Sequence, residues 1–351
     1  MGRTRVTLAD VAAASGVSVT TASLVLTGRA RELRISEAAE RRVRSTAQEL
    51  GYRRGTLATR PRSGRSQTIG FVLGAVESSG LAGEVVKGAV EAAYRHGFML
   101  FVGESGGDPA VERALVEQMR DRRTDGIVFA AVGTRVVTVP DGLRHGPAVL
   151  LNATAAAQPG LPAVVADEVE GGRAAARILV EAGHGRGVHL IGAGPGPYDV
   201  PPHGIAAVER LIGLREVFAA AGIEVVSAHR CPKWTPEDGY RATRELLRLH
   251  RPKALVCFDD RLAFGAYQAL GEAGLSVPGD VSVLGFDDHP VASWMRPRLT
   301  TIALPNQELG ARAVEVLLDV VERRRLDVRP PSIQRVPMPV REGGSVARPG
   351  V

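Results

Sequence analysis

The chain has 351 residues, 44% hydrophobic, with formal net charge +6 and sequence pI ≈ 9.8. That length exceeds one ordinary domain and predicts two or three. No run approaches the ~18 apolar residues of a membrane span, and the N-terminal arginines precede no apolar core of a signal peptide. The two cysteines, Cys231 and Cys257, exclude a disulfide framework and a C-x-x-C metal motif, so a reduced cytoplasm is expected, with no metal and no cofactor.

The first element pair is legible in residues 7–28, TLADVAAASGVSVTTASLVLTG. Thr7 can cap a helix and Asp10 completes a T-x-x-D capping box. Leu8, Val11 and Ala12 share one face. Gly16 supplies the turn, Ser18 caps the second helix, and Ala22, Val25 and Leu26 form its inward stripe. Val19, Thr20, Ser23, Leu24 and Thr27 are left on the outer face. Hydroxyls there suit phosphate oxygens, and apolar groups suit a thymine methyl. The pattern predicts a helix-turn-helix whose second helix enters the DNA major groove. An ordinary helical hairpin with good caps is the bland alternative.

A third helix is expected from Ser36, with Ala39, Val43, Ala47 and Leu50 inward, Arg41, Arg42 and Arg44 outward, and Gly51 ending it. Up to Ser66 the chain carries 13 Lys+Arg against 5 Asp+Glu, so the remainder is slightly acidic. Excess positive charge confined to one small helical segment is the footprint of phosphate neutralisation. We divide the chain into a DNA-binding head (1–52), a basic linker (53–68) and a core (69–351).

Beyond the linker, apolar runs at 69–73, 98–102, 126–130, 148–151, 187–191, 254–258 and 281–286 alternate with amphipathic stretches at 84–96, 111–122, 169–182, 207–221 and 261–273. Strands separated by such helices predict parallel sheets. This much of the pattern predicts two doubly wound α/β lobes, with ligand at the carboxyl ends of the strands. Rival chemistries fit poorly. Gly103-Glu104-Ser105-Gly106-Gly107 matches G-x-S-x-G, but Asp108 and Pro109 are the natural N-cap and N1 residues, leaving Ser105 back in a loop. Residues 192–196 resemble half a dinucleotide fingerprint interrupted by proline. His184 and His189 flank a turn and are read as structural. No convergent acid, base and nucleophile set appears, so an enzyme is not expected.

The order of helix-turn-helix, basic linker and two-lobed core resembles the lac repressor (LacI/GalR) family. The resemblance is carried by residues 7–28, SEAAERRVRSTAQELGY, TIGFV, EAGH, ERLIGL, FDDRLAFGAYQALGEAGLSVPGDVSVLGFDD and LTTI, and spans nearly the whole chain. It implies an α-helical head plus a periplasmic-binding-protein-like core. It further implies a homodimeric regulator, a repressor by family expectation, whose affinity for a near-palindromic double-stranded DNA operator responds to a small effector. It assigns DNA contact to Thr7, Ser18, Val19, Thr20, Thr21, Ser23, Leu24, Thr27 and Tyr52, with Leu57 and Pro61 in the hinge. It assigns effector contact to Asn152, Arg210, Trp234, Asp259 and Asp287. A sugar or sugar phosphate is the expected effector, with a purine as runner-up. A solute-binding protein without DNA function is the alternative class.

Three departures accompany the resemblance. Leu24 stands where relatives place a polar residue, and leucine cannot fork onto guanine. Pro61 falls at the hinge lever, where proline can wedge a minor groove but interrupts a helix. The segment before Arg210 is long, and its Tyr198 and His203 are candidates for the pocket mouth. Within the core the expected N-lobe is 69–164 plus 298–325, and the expected C-lobe is 165–297 plus 326–342.

Overall fold

The computed structural model describes residues 6–30, 35–52, 66–74, 81–155, 160–194, 196, 199–200, 204–323 and 333–347. Two units emerge, Met1–Ser66 and Gln67–Val351.

The first unit holds α1 (Leu8–Ser15), α2 (Val19–Leu26) and α3 (Glu37–Glu49). The caps are those the sequence dictates. Thr7 and Asp10 form a reciprocal capping box, Ser18 accepts from the Thr21 amide at 3.0 Å, and Ser36 accepts from Ala39. Gly16 adopts φ 65°, a conformation in which a side chain would be strained. The chain turns through 104° between α1 and α2, within the range of a helix-turn-helix. Val11, Ala12, Ala22, Val25, Val43 and Ala47 close a small core, and Leu8, Leu26 and Tyr52 pack on its rim. Leu50, expected inward, is 40% exposed because it lies at the end of α3, past the last buried turn. Arg42 Nε donates to the Ser15 carbonyl at 2.9 Å, satisfying an acceptor at the end of α1 and tying α3 to the turn.

The second unit runs β1 (Thr68–Leu73), α4 (Leu81–Arg95), β2 (Met99–Glu104), α5 (Pro109–Asp121), β3 (Gly126–Val136), β4 (Ala148–Thr154), β5 (Ala163–Ala166) and α6 (Glu168–Glu181). It continues with β6 (Val188–Ile191), α7 (Ile205–Ala220), β7 (Val225–His229), α8 (Pro236–Leu249), β8 (Ala254–Cys257), α9 (Asp260–Glu272) and β9 (Ser282–Asp287). The chain closes with α10 (Pro290–Trp294), β10 (Thr300–Ala303), α11 (Asn306–Arg323), β11 (Ile333–Val336) and β12 (Val340–Arg341). Two six-stranded sheets result, ordered β11-β5-β4-β3-β1-β2 and β12-β10-β9-β8-β6-β7. All pairings within them are parallel except β10 with β12. Central strands such as β1, β8 and β9 are buried along their whole length, as sheets covered on both faces require.

The lobe boundaries differ from the expected ones. β10 pairs with β9 in the C-lobe sheet, Thr301 opposite Gly285, although 298–325 was assigned to the N-lobe. β11 pairs with β5 in the N-lobe sheet, although 326–342 was assigned to the C-lobe. Hydrogen-bonded partners far apart in sequence decide these placements. The chain therefore crosses between lobes after Ala166, after Ala303 and after Val336. The Asp167 amide donates to the Val336 carbonyl at 2.8 Å, fastening two crossovers side by side. All three leave from the carboxyl ends of parallel strands, so those ends of both sheets face the junction between lobes.

Candidate functional site

In the head, the expected DNA-contacting residues fall into two groups. Thr7, Ser18 and Thr21 are engaged in caps, with the Ser18 and Thr21 hydroxyls 2.8 Å apart. Thr27 donates its hydroxyl to the Leu24 carbonyl at 2.9 Å. The Thr7, Ser18 and Thr21 oxygens keep lone pairs and adjoin the amides at the starts of α1 and α2, the arrangement that suits phosphate, whereas Thr27 lies at the C-terminal end of α2. Val19 and Thr20 stand exposed at the start of α2, while Ser23 and Leu24 are half-buried. Tyr52 packs partly into the head core. Leu57 and Pro61 lie outside the described residues, as do Tyr198 and His203.

In the core, the chain brings Arg210, Asp287, Asp259 and Trp234 together beside the lobe junction. Arg210 projects from α7 with only 2% of its surface exposed. Its Nε donates to Glu168 Oε2 at 2.6 Å, and its Nη2 donates to Glu168 Oε1 at 3.4 Å and Asp287 Oδ1 at 2.7 Å. Its Nη1 donates to the Phe258 carbonyl at 2.6 Å, and the guanidinium lies 4.7 Å from the Phe286 ring centroid. Close helix packing creates this arrangement. A Cβ on Gly172 of α6 would lie 2.1 Å from the Arg210 carbonyl oxygen, and one on Gly213 of α7 would lie 2.0 Å from that of Val169. The two glycines let α6 and α7 touch backbone to backbone, which seats Glu168 against Arg210.

Glu168 escaped the sequence reading, where it looks like an ordinary acidic residue of a helix first turn. The signal that could have found it is the glycine pair, Gly172 and Gly213, marking a tight crossing.

Burial pushes the Asp287 carboxyl up to about 7, against the pull of Arg210. The neighbouring Asp260 is fully buried and raised well above the usual carboxylate range by burial and then by Asp287; it accepts from Thr301 and from the His289 amide. Asp259 caps α9, accepting from the Arg261 amide at 2.6 Å, and its carboxylate is also held by the Arg261 guanidinium. Trp234 donates to the Gly192 carbonyl at 3.0 Å and meets Phe258 edge-on at 6.2 Å. Asn152 sits apart, at the end of β4 on the N-lobe side. It is 5% exposed and its Oδ1 accepts no hydrogen bond among the described residues, a costly state for a buried amide.

Asn152, Trp234, Asp287 and Asp288 all carry positive φ, at 50°, 52°, 100° and 53°. Non-glycine residues held in that region cluster where structure serves a site. A bidentate ion pair also spans the lobes, Arg335 of β11 donating twice to Glu209 of α7 at 2.8 Å.

Ser105 behaves as the loop residue expected of it. It is buried, donates to the Leu73 carbonyl and accepts from the Gly107 amide, while Asp108 caps α5 with Pro109 at its first position. Among the described residues no group of three or more His, Cys, Asp or Glu could hold a metal ion, and no single helix is long and apolar enough to cross a membrane.

Residues 66–339 match the family of periplasmic binding proteins and sugar-binding domains of the LacI family, and residues 7–55 match the bacterial regulatory proteins of the lacI family. The HTH-type transcriptional repressor PurR of Klebsiella pneumoniae (strain 342) is 30% identical over 338 residues, covering 94% of this chain and 96% of that protein. Among solved structures, the lac repressor dimer bound to operator and the anti-inducer ONPF superposes with TM-score 0.80 at 24% identity, covering 98% of this chain and 100% of that one. The transcriptional regulator CelR in complex with cellobiose gives 0.64 at 26% identity, covering 97% and 100%. A LacI-family regulator from Enterococcus faecium with bound ribose gives 0.62 at 25% identity, covering 80% and 98%. With a capped, basic helix-turn-helix head, a two-sheet core and family matches to both, this chain belongs to the LacI family of bacterial transcriptional regulators.

Proposed function

We propose that the protein is a sequence-specific repressor whose operator affinity is set by a small effector held between the two lobes of its core. The observation that carries this reading is the pairing of two sites in one chain. A basic head presents Val19 and Thr20 at the start of α2, and a core gathers Arg210, Asp287, Asp259 and Trp234 where strands end at the lobe junction. Thr20, Leu24 and Val19 read bases; Thr7, Ser18, Thr21, Ser23 and Thr27 position the head on phosphates. Asn152 supplies an acceptor from the opposing lobe, and Trp234 a face for a ring. Closure on the ligand alters the spacing of paired heads.

A second copy of the chain is the partner that one head requires, since it reads only a half-site. The β2 edge of the N-lobe supports such pairing. Met99, Phe101 and Val102 are exposed along it, and Tyr94 of α4 is 83% exposed close by, an apolar edge that a lone molecule would leave open to association.

The effector reading is tested by thermal denaturation of the full chain with single sugars and nucleobases. A ligand that stabilises the wild type and fails on both Trp234→Ala and Asn152→Ala supports the cleft. Equal stabilisation of both variants contradicts it.

A further inference from the structure

Arg210, expected to contact the effector, is already occupied. Arg210 has five N–H donors, and four of them are directed to Glu168, Asp287 and the Phe258 carbonyl. Only one Nη1 proton remains. Glu168, 1% exposed, faces the guanidinium with both oxygens, so the positive charge is fully matched before Asp287 adds a second carboxylate.

Three carboxylates (Glu168, Asp287 and Asp259) meet two guanidinium groups, Arg210 and Arg261. Asp260 is raised well above the usual carboxylate range by burial, and its two oxygens accept from Thr301 and the His289 amide. His289 is lowered by burial, and its ring Nδ1 accepts from the Val291 amide. Asp288 is matched by Arg341. Asp287, its carboxyl raised to about 7, is the member whose ionisation leaves the desolvated cluster one carboxylate in excess; a cation beside it favours that ionised form and an anion opposes it.

The open hydrogen-bonding positions point the same way. Asp287 gives Oδ1 to Arg210, while Oδ2 accepts nothing among the described residues. Across the junction, the buried Asn152 Oδ1 is without a donor. Both are acceptors. These two oxygens are served by ligand O–H or N–H donors, which a phosphate or carboxylate group does not bring to them, while the Asn152 amide N–H groups remain for ligand hydroxyl oxygens.

Resting on the proposed cleft reading, we propose that this core selects a polyol bearing a protonated amine, and rejects sugar phosphates and other anionic ligands. The amine sits against Asp287 Oδ2, and hydroxyl donors serve Asn152. This departs from the sugar phosphate that the sequence left open, and Glu168 is the residue that causes the departure.

The test is titration calorimetry of the full chain with three matched series: glucosamine, galactosamine and mannosamine; glucose, galactose and mannose; and the three hexose 6-phosphates. The expected result is that at least one hexosamine binds at least about tenfold tighter than both its parent hexose and the corresponding phosphate. Glu168→Gln and, separately, Asp287→Asn should narrow that ratio, with the phosphate gaining affinity in Glu168→Gln. Should either variant fail to fold, the other carries the comparison. Tightest binding by a 6-phosphate, or no hexosamine binding, overturns the proposal. If a 6-phosphate binds and Trp234→Ala abolishes it, the charge inference fails while the cleft reading stands. If hexosamine binding survives both Trp234→Ala and Asn152→Ala unchanged, the cleft reading itself fails.

Discussion

Arg210 and Glu168 form a two-point ion pair, at 2.6 and 3.4 Å, with both side chains almost wholly removed from solvent. Truncating one member of a buried pair strands the other charge, which costs about 3–5 kcal/mol, whereas replacing both is far milder. Arg210→Ala should therefore lower the stability of the full chain by that amount in denaturant titrations. Arg210→Met combined with Glu168→Gln and Asp287→Asn, which removes every charge of the Arg210 cluster, should recover most of the loss. A single-variant cost below about 1 kcal/mol would contradict the account.

The inter-lobe pair of Arg335 and Glu209 has a different role. Both side chains retain contact with water, so its contribution to stability should stay below about 1 kcal/mol. It bridges β11 and α7, however, and exists only while the lobes hold this arrangement. Arg335→Ala should leave the melting temperature nearly unchanged but broaden the inter-lobe distance distribution measured between spin labels. An unchanged distribution would remove the pair as a latch.

Acid should destabilise the core through His189. Its ring is buried, bonded to Ser227 at 2.8 Å and 5.1 Å from His250, and burial depresses it to about 4. The unfolded chain takes up this proton near pH 6.5, whereas the folded chain does so only near 4. The stabilisation is complete above about pH 6.5 and is lost as pH falls through 4, amounting to about 3 kcal/mol. The raised carboxyls of Asp260 and Asp287 act with opposite sign, so the informative quantity is a difference. Stability of wild type minus His189→Gln should rise with pH between 4 and 6.5; a flat difference would refute the assignment.

Head residues should separate by role. Ser18→Ala removes the cap of α2 and should cost about 1 kcal/mol of head stability, weakening binding evenly across DNA sequences. Thr20→Ala should instead change the preferred bases of the half-site while leaving the melting curve nearly intact. Selected-sequence logos for each variant distinguish the two; a Thr20→Ala logo identical to wild type would remove it from base reading.

Much of this was legible in the sequence, where the cause is local. Thr7, Ser18, Asp108 and Pro109 mark helix starts through contacts within three residues, and seven apolar runs map onto strands of the two sheets. What escaped is tertiary in origin. β10 and β11 are four-residue segments placed by distant partners, Thr301 against Gly285 and Arg335 against Val165, and nothing near them in the chain records that choice. Glu168 is a solvated first-turn acid in any local view. Only the contact of α6 with α7 through Gly172 and Gly213 buries it and turns Arg210 from a ligand-seeking group into a satisfied one. Arg261 likewise joins Asp259 through a side-chain geometry that no spacing rule specifies.

The measurement that tests the central claim most directly is selection of the full-length protein against a random duplex library at one fixed salt concentration. The account predicts recovery of a near-palindromic consensus of two half-sites, with positions that change when Thr20 or Leu24 is substituted. Recovery of no consensus, with binding that vanishes at moderate salt, would show only attraction to phosphate and would contradict a sequence-specific repressor.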